Sequence, residues 1–423
     1  MGTLPPHTKG WNMAEPQRIV IVGSGLAGAS AAGELRAKGY TGQVTIFGKE
    51  PHRPYELPAL SKGILLGDAE DPDWAHDEDF YAKNDIDLLL STVVTEVALG
   101  DRVVVDESGA RHPYDRLLLA TGSRPRTLPV PGADLEGTHT LRTLDDSRAL
   151  LAALREGGRV VVIGGGWIGC EVAAAARKHG CEVTVVERLP LPLHPILGDT
   201  IAAVFRDLHE QNGVRWRLGV GLAEFTAEQG RVTGVRLEDG EVLPADHVVV
   251  AVGAVPRVEL AHAAGLRLSD EVPGGGVDTD AGLRTSDPDV YAAGDIAAHS
   301  HPRYARRLRV EHWANAKDQG THVAGNLLGA DEPYTASPYF FSDQYDLGME
   351  VRGLANPFRD QLVVRGDLAA REFIAFWLRD GAVHAAMNVN MWDDGDALQA
   401  MVDKQVVVEP RQLEQADLAG MVG

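Results

Sequence analysis

Six glycines and two carboxylates mark where this sequence can do chemistry. Gly23, Gly25 and Gly28 stand in G-S-G-L-A-G, and Glu50 follows 22 residues after the last of them. Gly164, Gly166 and Gly169 stand in G-G-G-W-I-G, and Glu187 follows 18 residues later. The pyrophosphate of a dinucleotide is doubly negative and needs backbone N–H donors at close range. In this spacing the first glycine makes the tight turn, the second lets the backbone touch the phosphates, and the third lets helix and strand pack closely. The helix N-terminus adds favourable dipole charge, and the later acid accepts the ribose hydroxyls. One such pattern is a weak signal. Two complete copies predict two nucleotide cofactors. A carboxylate at Glu187 pairs with a 2′-hydroxyl and repels a 2′-phosphate, which favours NADH over NADPH, although Arg188 stands beside it. A further acid, Asp295 in Y-A-A-G-D-I, is predicted at the start of a helix, where it can accept from a ribose or ribityl hydroxyl.

These residues need elements to hold them. Arg18–Val22 is a short β-branched run that predicts a buried strand. Ala27–Lys38 predicts a helix stopped by Gly39, and Gln43–Phe47 a second strand. About 140 residues on, the order recurs: a strand at Arg159–Ile163, a turn over Gly164–Gly169, a helix over Glu171–His179, and a strand at Glu182–Val186. Arg116–Gly122 and Asp246–Gly253 read as buried strands ending in glycine turns. Gly253, like Ile168 in the second turn, is a candidate cofactor contact. Gly122–Gly132 and Gly253–Arg257 carry Pro and Gly without helical period and read as crossovers between domains. After Pro333 aromatics cluster, and the runs Gln361–Arg365 and Glu372–Leu378 predict an antiparallel sheet with a helix near Asp396–Lys404.

Composition narrows the function classes. At roughly 100–200 residues per domain, 423 residues make about two to four domains. The net charge of −21 repels phosphate backbones and anionic lipid, which argues against nucleic-acid and membrane binding. Two cysteines make no disulfide framework and point to a reducing cytoplasm. No run of about 18 apolar residues predicts a membrane-spanning helix. Met1–Glu15 lacks an apolar signal core and reads as a frayed leader.

The two glycine motifs, A-T-G at Ala120–Gly122 and A-G-D at Ala293–Asp295 resemble the two-dinucleotide flavoproteins. P-A-L-S-K at Pro58–Lys62, L-R-T at Leu141–Thr143, R-V-E-H-W at Arg309–Trp313 and F-S-D-Q-Y at Phe341–Tyr345 resemble one branch of them. That branch is the FAD-dependent ferredoxin reductases serving cytochrome P450s and ring-hydroxylating dioxygenases. The resemblance covers about residues 16–410. Apoptosis-inducing factors share R-V-E-H and much of the fold.

The resemblance implies an α/β chain with two Rossmann-like dinucleotide-binding domains and a C-terminal α+β interface domain. FAD belongs to the first motif and NAD to the second. The expected segments are 16–124 and 254–332 for FAD, 125–253 for NAD, and 333–423 for the interface domain. By motif position the FAD contacts would be Ala27, Glu50 or its neighbour Lys49, Arg53, Lys62, Val94, Arg142, Asp295 and Trp313. The chain departs from many relatives at Lys49, Leu57 and Ala59, where an acid, an arginine and a proline are common.

Dithiol reductases of this superfamily need two cysteines close together near the flavin, and peroxidase and oxidase relatives need one within the segment that is Arg53–Lys62 here. Cys170 and Cys181 stand elsewhere and read as small buried residues. Electrons must then leave the flavin directly for an external acceptor. Lys62 is the expected catalytic cation, because reduced flavin is negative at its N1 side. In the family pattern Glu171 pairs with Lys62 and orients it and the nicotinamide, while Trp313 packs beside the flavin ring. Arg303, Arg306, Arg307 and Arg309 fall within seven residues and read as a docking patch for an acidic ferredoxin. The expectation is an NADH-dependent ferredoxin reductase, monomer or homodimer. The alternatives are a rubredoxin or nitrite-reductase-type electron donor and a redox-sensing interaction protein like the apoptosis-inducing factors.

Overall fold

The computed structural model describes residues 16–415 and 417–422, so the stretch read as a leader lies outside the described residues. Three five-stranded sheets carry the architecture. In the first, Arg18–Val22 lies between Gln43–Phe47 and Arg116–Leu119, with Ile86–Leu89 and Val290–Ala292 at the edges, all parallel. Both faces of such a sheet are covered, which is why its strands read as unbroken apolar runs. Ile19 and Ile21 enter one core cluster while Val20 and Val22 enter the other. The helix Leu26–Ala37 covers the first face with Ala27, Ala31 and Ala32, all buried. Small residues there admit a second helix, Trp313–Leu327, so closely that a Cβ on Gly320 would lie 2.3 Å from the Ala27 carbonyl oxygen.

The second sheet repeats the plan. Arg159–Ile163 lies between Glu182–Glu187 and His247–Val250, with Arg215–Leu218 and Thr138–His139 at the edges, again all parallel. The two predicted crossovers meet each other: Ser123–Pro125 pairs antiparallel with Ala254–Pro256.

The third sheet is antiparallel, in the order Tyr339–Gln344, Leu347–Gly353, Ala382–Val389, Glu372–Arg379, Gln361–Asp367. Alternation sorts its residues. Phe373, Ala375 and Trp377 pack on Ile201, Phe205 and Leu208 of the helix His194–Gln211. Ile374, Phe376 and Leu378 pack on Leu398, Met401 and Val402 of the helix Gly395–Lys404. Burying each of the larger of these side chains is worth about 1.5–3 kcal/mol, so the sheet is fastened on both faces. No helix among the described residues is long and apolar enough to cross a membrane.

Two local expectations need correction. The helix expected over Glu171–His179 begins at Trp167, because Gly166 is its extended N-cap and the second half of the glycine motif is already helical. Asp295 does not open a helix. It sits in a single 3₁₀ turn, Gly294–Ile296, that runs straight into the strand Ala297–His301.

Candidate active site

The two glycine turns have the same stereochemistry. Gly23 has φ +120°, and a Cβ there would lie 2.1 Å from the Ala120 carbonyl oxygen; a Cβ on Gly28 would lie 2.2 Å from that of Gly23. Gly164 has φ +106°, with the Ala251 oxygen 2.4 Å from its Cβ position, and a Cβ on Gly169 would meet the Gly164 oxygen at 2.0 Å. The middle glycines differ. A Cβ on Gly25 or Gly166 would meet nothing within 4 Å. The outer glycines are thus demanded by the fold, and the middle ones face open space, as a site for a pyrophosphate requires. Gly253 also faces open space, at φ +94°, and Ile168 is 42% exposed at the start of the second helix. The indole N–H of Trp167, directly after Gly166, is buried without a partner among the described residues.

Around the first turn the polar groups are already ordered. Lys49 is exposed, whereas Glu50 accepts from the Tyr55 hydroxyl at 2.7 Å, and that hydroxyl accepts from the Leu144 N–H at 3.0 Å. Burial and the carboxylate push the Tyr55 phenol well up. Arg53 donates to the His76 carbonyl at 2.6 Å and lies 4.1 Å over the Trp74 ring. Val94 is buried in the cluster of Val22 and Phe47, so its side chain is spent on packing. One oxygen of Asp295 accepts from Ser123 Oγ at 2.7 Å and from Arg142 at 2.9 Å. Its other oxygen has no partner among the described residues and can take a ligand hydroxyl.

The second turn presents Glu187. Its two oxygens accept from the Gly165 and Leu189 N–H groups at 2.7 and 2.8 Å. These bonds hold the half-buried carboxylate at the strand end. Arg188 points away, to Glu238 at 2.6 Å.

The helix of the second turn also carries one half of a buried ion pair. Lys62 Nζ donates to Glu171 Oε1 at 2.8 Å, with the two side chains 16% and 4% exposed. Ser61 Oγ donates to the other carboxylate oxygen, and Ser342 Oγ donates to Oε1 at 2.6 Å. A carboxylate this deeply buried costs several kcal/mol unless it is paired and hydrogen-bonded, and here three donors meet it. Lys62 also lies 5.1 Å over the Phe341 ring. Trp313 anchors its indole N–H on Glu56 at 2.8 Å and meets Phe341 edge-on at 6.0 Å. The structure thus brings Lys62, Glu171 and, through Phe341, Trp313 together. Ser61, Ser342, Tyr55 and Ser123 were not singled out from the sequence. The first two lie inside the strings P-A-L-S-K and F-S-D-Q-Y, one of whose neighbours drew attention instead.

The docking cluster must be revised. Arg303 donates to the Asp403 and Thr335 carbonyls. Arg307 pairs with Asp278 and donates to the Thr279 and Ala298 carbonyls at 2.7 Å each. Arg309, whose side chain is 8% exposed, pairs with Glu311 and donates to the Asp295 and Pro273 carbonyls. Of these four arginines, only Arg306 is exposed and has no ion pair among the described residues. The sequence spacing suggested one patch; the short strand Arg306–Leu308 and its neighbours turn three of the four arginines inward. Cys170 and Cys181 are free and buried as expected.

Residues 17–320 match the family model "Pyridine nucleotide-disulphide oxidoreductase", and residues 339–419 match "Reductase C-terminal". The chain is 39% identical over 397 residues to the ferredoxin–NAD(+) reductase component of the anthranilate 1,2-dioxygenase system of Burkholderia cepacia, covering 93% of this chain and 96% of that one. Among solved structures it resembles the ferredoxin reductase for the CYP199A2 system from Rhodopseudomonas palustris, with TM-score 0.91 and 38% identity, covering 96% of this chain and 100% of that one. It also resembles the covalent putidaredoxin reductase–putidaredoxin complex, with TM-score 0.91 and 36% identity, covering 97% and 99%.

Proposed function

The chain belongs to the pyridine nucleotide-disulphide oxidoreductase family, and from that membership we propose that it is an FAD-dependent reductase passing electrons from NADH to a ferredoxin that serves a cytochrome P450 or another oxygenase. The observation that carries this reading is the Lys62–Glu171 contact at 2.8 Å. The helix that begins inside the second glycine motif delivers Glu171 to Lys62, so a residue from each of the two nucleotide-binding segments meets in one buried ion pair.

Bound FAD supplies a two-electron acceptor that can pass electrons on singly. The chain's own residues do the rest. Gly23, Gly25, Ala27 and Gly28 cradle its pyrophosphate, Glu50 takes the ribose, and Arg142 and Asp295 order the linking hydroxyls. Arg53 and Trp313 line the remainder. Gly164, Gly166, Ile168, Gly169 and Gly253 do the same for NADH, with Glu187 on the ribose. Lys62 holds a positive charge where negative charge develops on the ring, and a fixed charge in a site shielded from water acts more strongly than one in water. Glu171 holds that ammonium in place. Burial pushes both thiols up, which removes the thiolate that a dithiol relay needs. With both cysteines unpaired, the reading also places the protein in the cytoplasm.

The test is direct. The purified chain should be yellow with one FAD per chain, and NADH should drive reduction of ferricyanide and of a two-iron ferredoxin. A protein still colourless after incubation with FAD, or one that reduces ferricyanide but no ferredoxin tried at low salt, would overturn the assignment.

A further inference from the structure

The strand Tyr339–Gln344 buries the wrong kind of residue. Alternation turns Ser342 and Gln344 to its inner face, each 1% exposed, where an apolar pair would be the ordinary choice. Both are fully used. Ser342 Oγ lies 2.6 Å from Glu171 Oε1, and Gln344 Nε2 lies 3.1 Å from Ser342 Oγ. Gln344 Oε1 lies 2.9 Å from His209 Nε2, and His209 Nδ1 lies 3.5 Å from the Tyr345 hydroxyl.

The donor and acceptor inventory leaves one consistent direction. An ionised carboxylate only accepts, so Ser342 donates to Glu171. The serine oxygen then accepts from the Gln344 amide, whose carbonyl oxygen must accept from His209. His209 therefore carries its proton on Nε2, and Nδ1 faces the tyrosine hydroxyl. Burial pushes His209 down to about 4, which keeps the ring neutral near pH 7. Every bond donates toward the carboxylate, and bonds aligned this way polarise one another. The chain of contacts begins on the helix His194–Gln211, crosses the C-terminal strand and ends at the ion pair.

We propose that Ser342, Gln344 and His209 are positioning residues: a buried relay, lent by the C-terminal sheet and the helix His194–Gln211, that holds Glu171 in the rotamer where it orients Lys62. Lys62 and its neighbour Ser61 hold the carboxylate from one segment and leave it free to rock about its long side chain. The relay removes that freedom, so the C-terminal sheet sets the geometry of hydride transfer. This rests on the reading of Lys62 and Glu171 above.

The experiment uses the FAD-loaded enzyme and three variants. Ser342→Ala removes the donor. Gln344→Glu keeps the shape but accepts from both sides, which turns the serine proton away from Glu171. Ser342→Thr keeps the hydroxyl. Stopped-flow reduction by NADH gives the limiting rate and the NADH dissociation constant separately, and the long-wavelength absorbance of the reduced enzyme with NAD+ reports how the two rings face each other. A misplaced reacting group costs up to about 100-fold. Ser342→Ala and Gln344→Glu should each lower the limiting rate about 10- to 100-fold and weaken the long-wavelength band. NADH affinity should change less than about 2-fold, and Ser342→Thr should stay within about 3-fold of the parent rate. Wild-type rate and band in Ser342→Ala would overturn the relay. So would loss in Ser342→Ala beside an unaffected Gln344→Glu, which would mark a local packing effect. Lys62→Ala reducing at the parent rate would instead sink the underlying reading of the ion pair, and the relay with it.

Discussion

Ser342 and Glu171 stand 171 positions apart and meet in a buried hydrogen bond of 2.6 Å. Glu171 comes from the helix of the second glycine motif, its partner Lys62 from the segment after the first, and Ser342 from the antiparallel C-terminal sheet. Three segments far apart in the sequence therefore set one carboxylate.

Replacing Lys62 by Ala should slow flavin reduction by about 100-fold, the usual cost of losing one preorganised charge. The protein should still fold. Removing one partner of a buried pair commonly costs about 3–5 kcal/mol, but Ser61 and Ser342 still donate to Glu171, so the loss should fall below that range. Stopped-flow reduction and a urea unfolding curve measure the two effects.

Alanine at the middle and outer glycines should separate folding from binding. Gly25→Ala meets nothing in the folded chain and should fold normally while retaining little FAD. Gly166→Ala should keep FAD, remain yellow and bind NADH at least about 10-fold more weakly, since a methyl group then stands where the backbone must touch the phosphates. Gly23→Ala forces a Cβ to 2.1 Å from a carbonyl oxygen and should yield little folded protein. Flavin absorbance per chain and circular dichroism distinguish the three.

Glu187→Ala should narrow the preference for NADH, because the carboxylate's repulsion of a 2′-phosphate is lost. The effect of the single change should be limited, since Arg188 is held by Glu238 at 2.6 Å. Adding Glu238→Gln frees that guanidinium and should raise kcat/KM for NADPH further, by about 10-fold. Equal NADH/NADPH ratios in wild type, single and double variants would show that this strand end does not read the ribose.

Charge reversal among the arginines should divide by position. Arg307→Glu places a second acid against Asp278, and Arg309→Glu faces Glu311, so both should lower the melting temperature by several degrees. Arg306→Glu, on an exposed side chain, should leave stability unchanged and lower ferredoxin reduction at low salt, with the difference fading as salt rises. Loss of NADH–ferricyanide activity in Arg306→Glu would assign it a structural role instead.

Much of the fold was legible because it is local. The strands Arg18–Val22, Gln43–Phe47 and Arg159–Ile163 match their apolar runs residue for residue, since a buried parallel strand needs continuous apolar character. The glycine triads were legible for the same reason: a φ of +120° at Gly23 or +106° at Gly164 is a demand made by the chain's immediate neighbours. Helix onset at Trp167 and the single turn at Asp295 were not, because an extended glycine N-cap and a strand following a 3₁₀ turn leave no distinct periodicity.

What only the tertiary structure decided is which charges are spent. Four arginines in seven residues look alike in sequence, yet carbonyls and acids, most of them from other segments, consume three of them. Ser61, Ser342, Gln344 and His209 carry no local signal, because a serine or a glutamine becomes a positioning group only when remote chain segments bring a buried acceptor within about 3 Å. Local sterics write the cofactor cradles into the sequence. The orientation of the groups between them depends on long-range packing, and that exists only once the sheets have closed on one another.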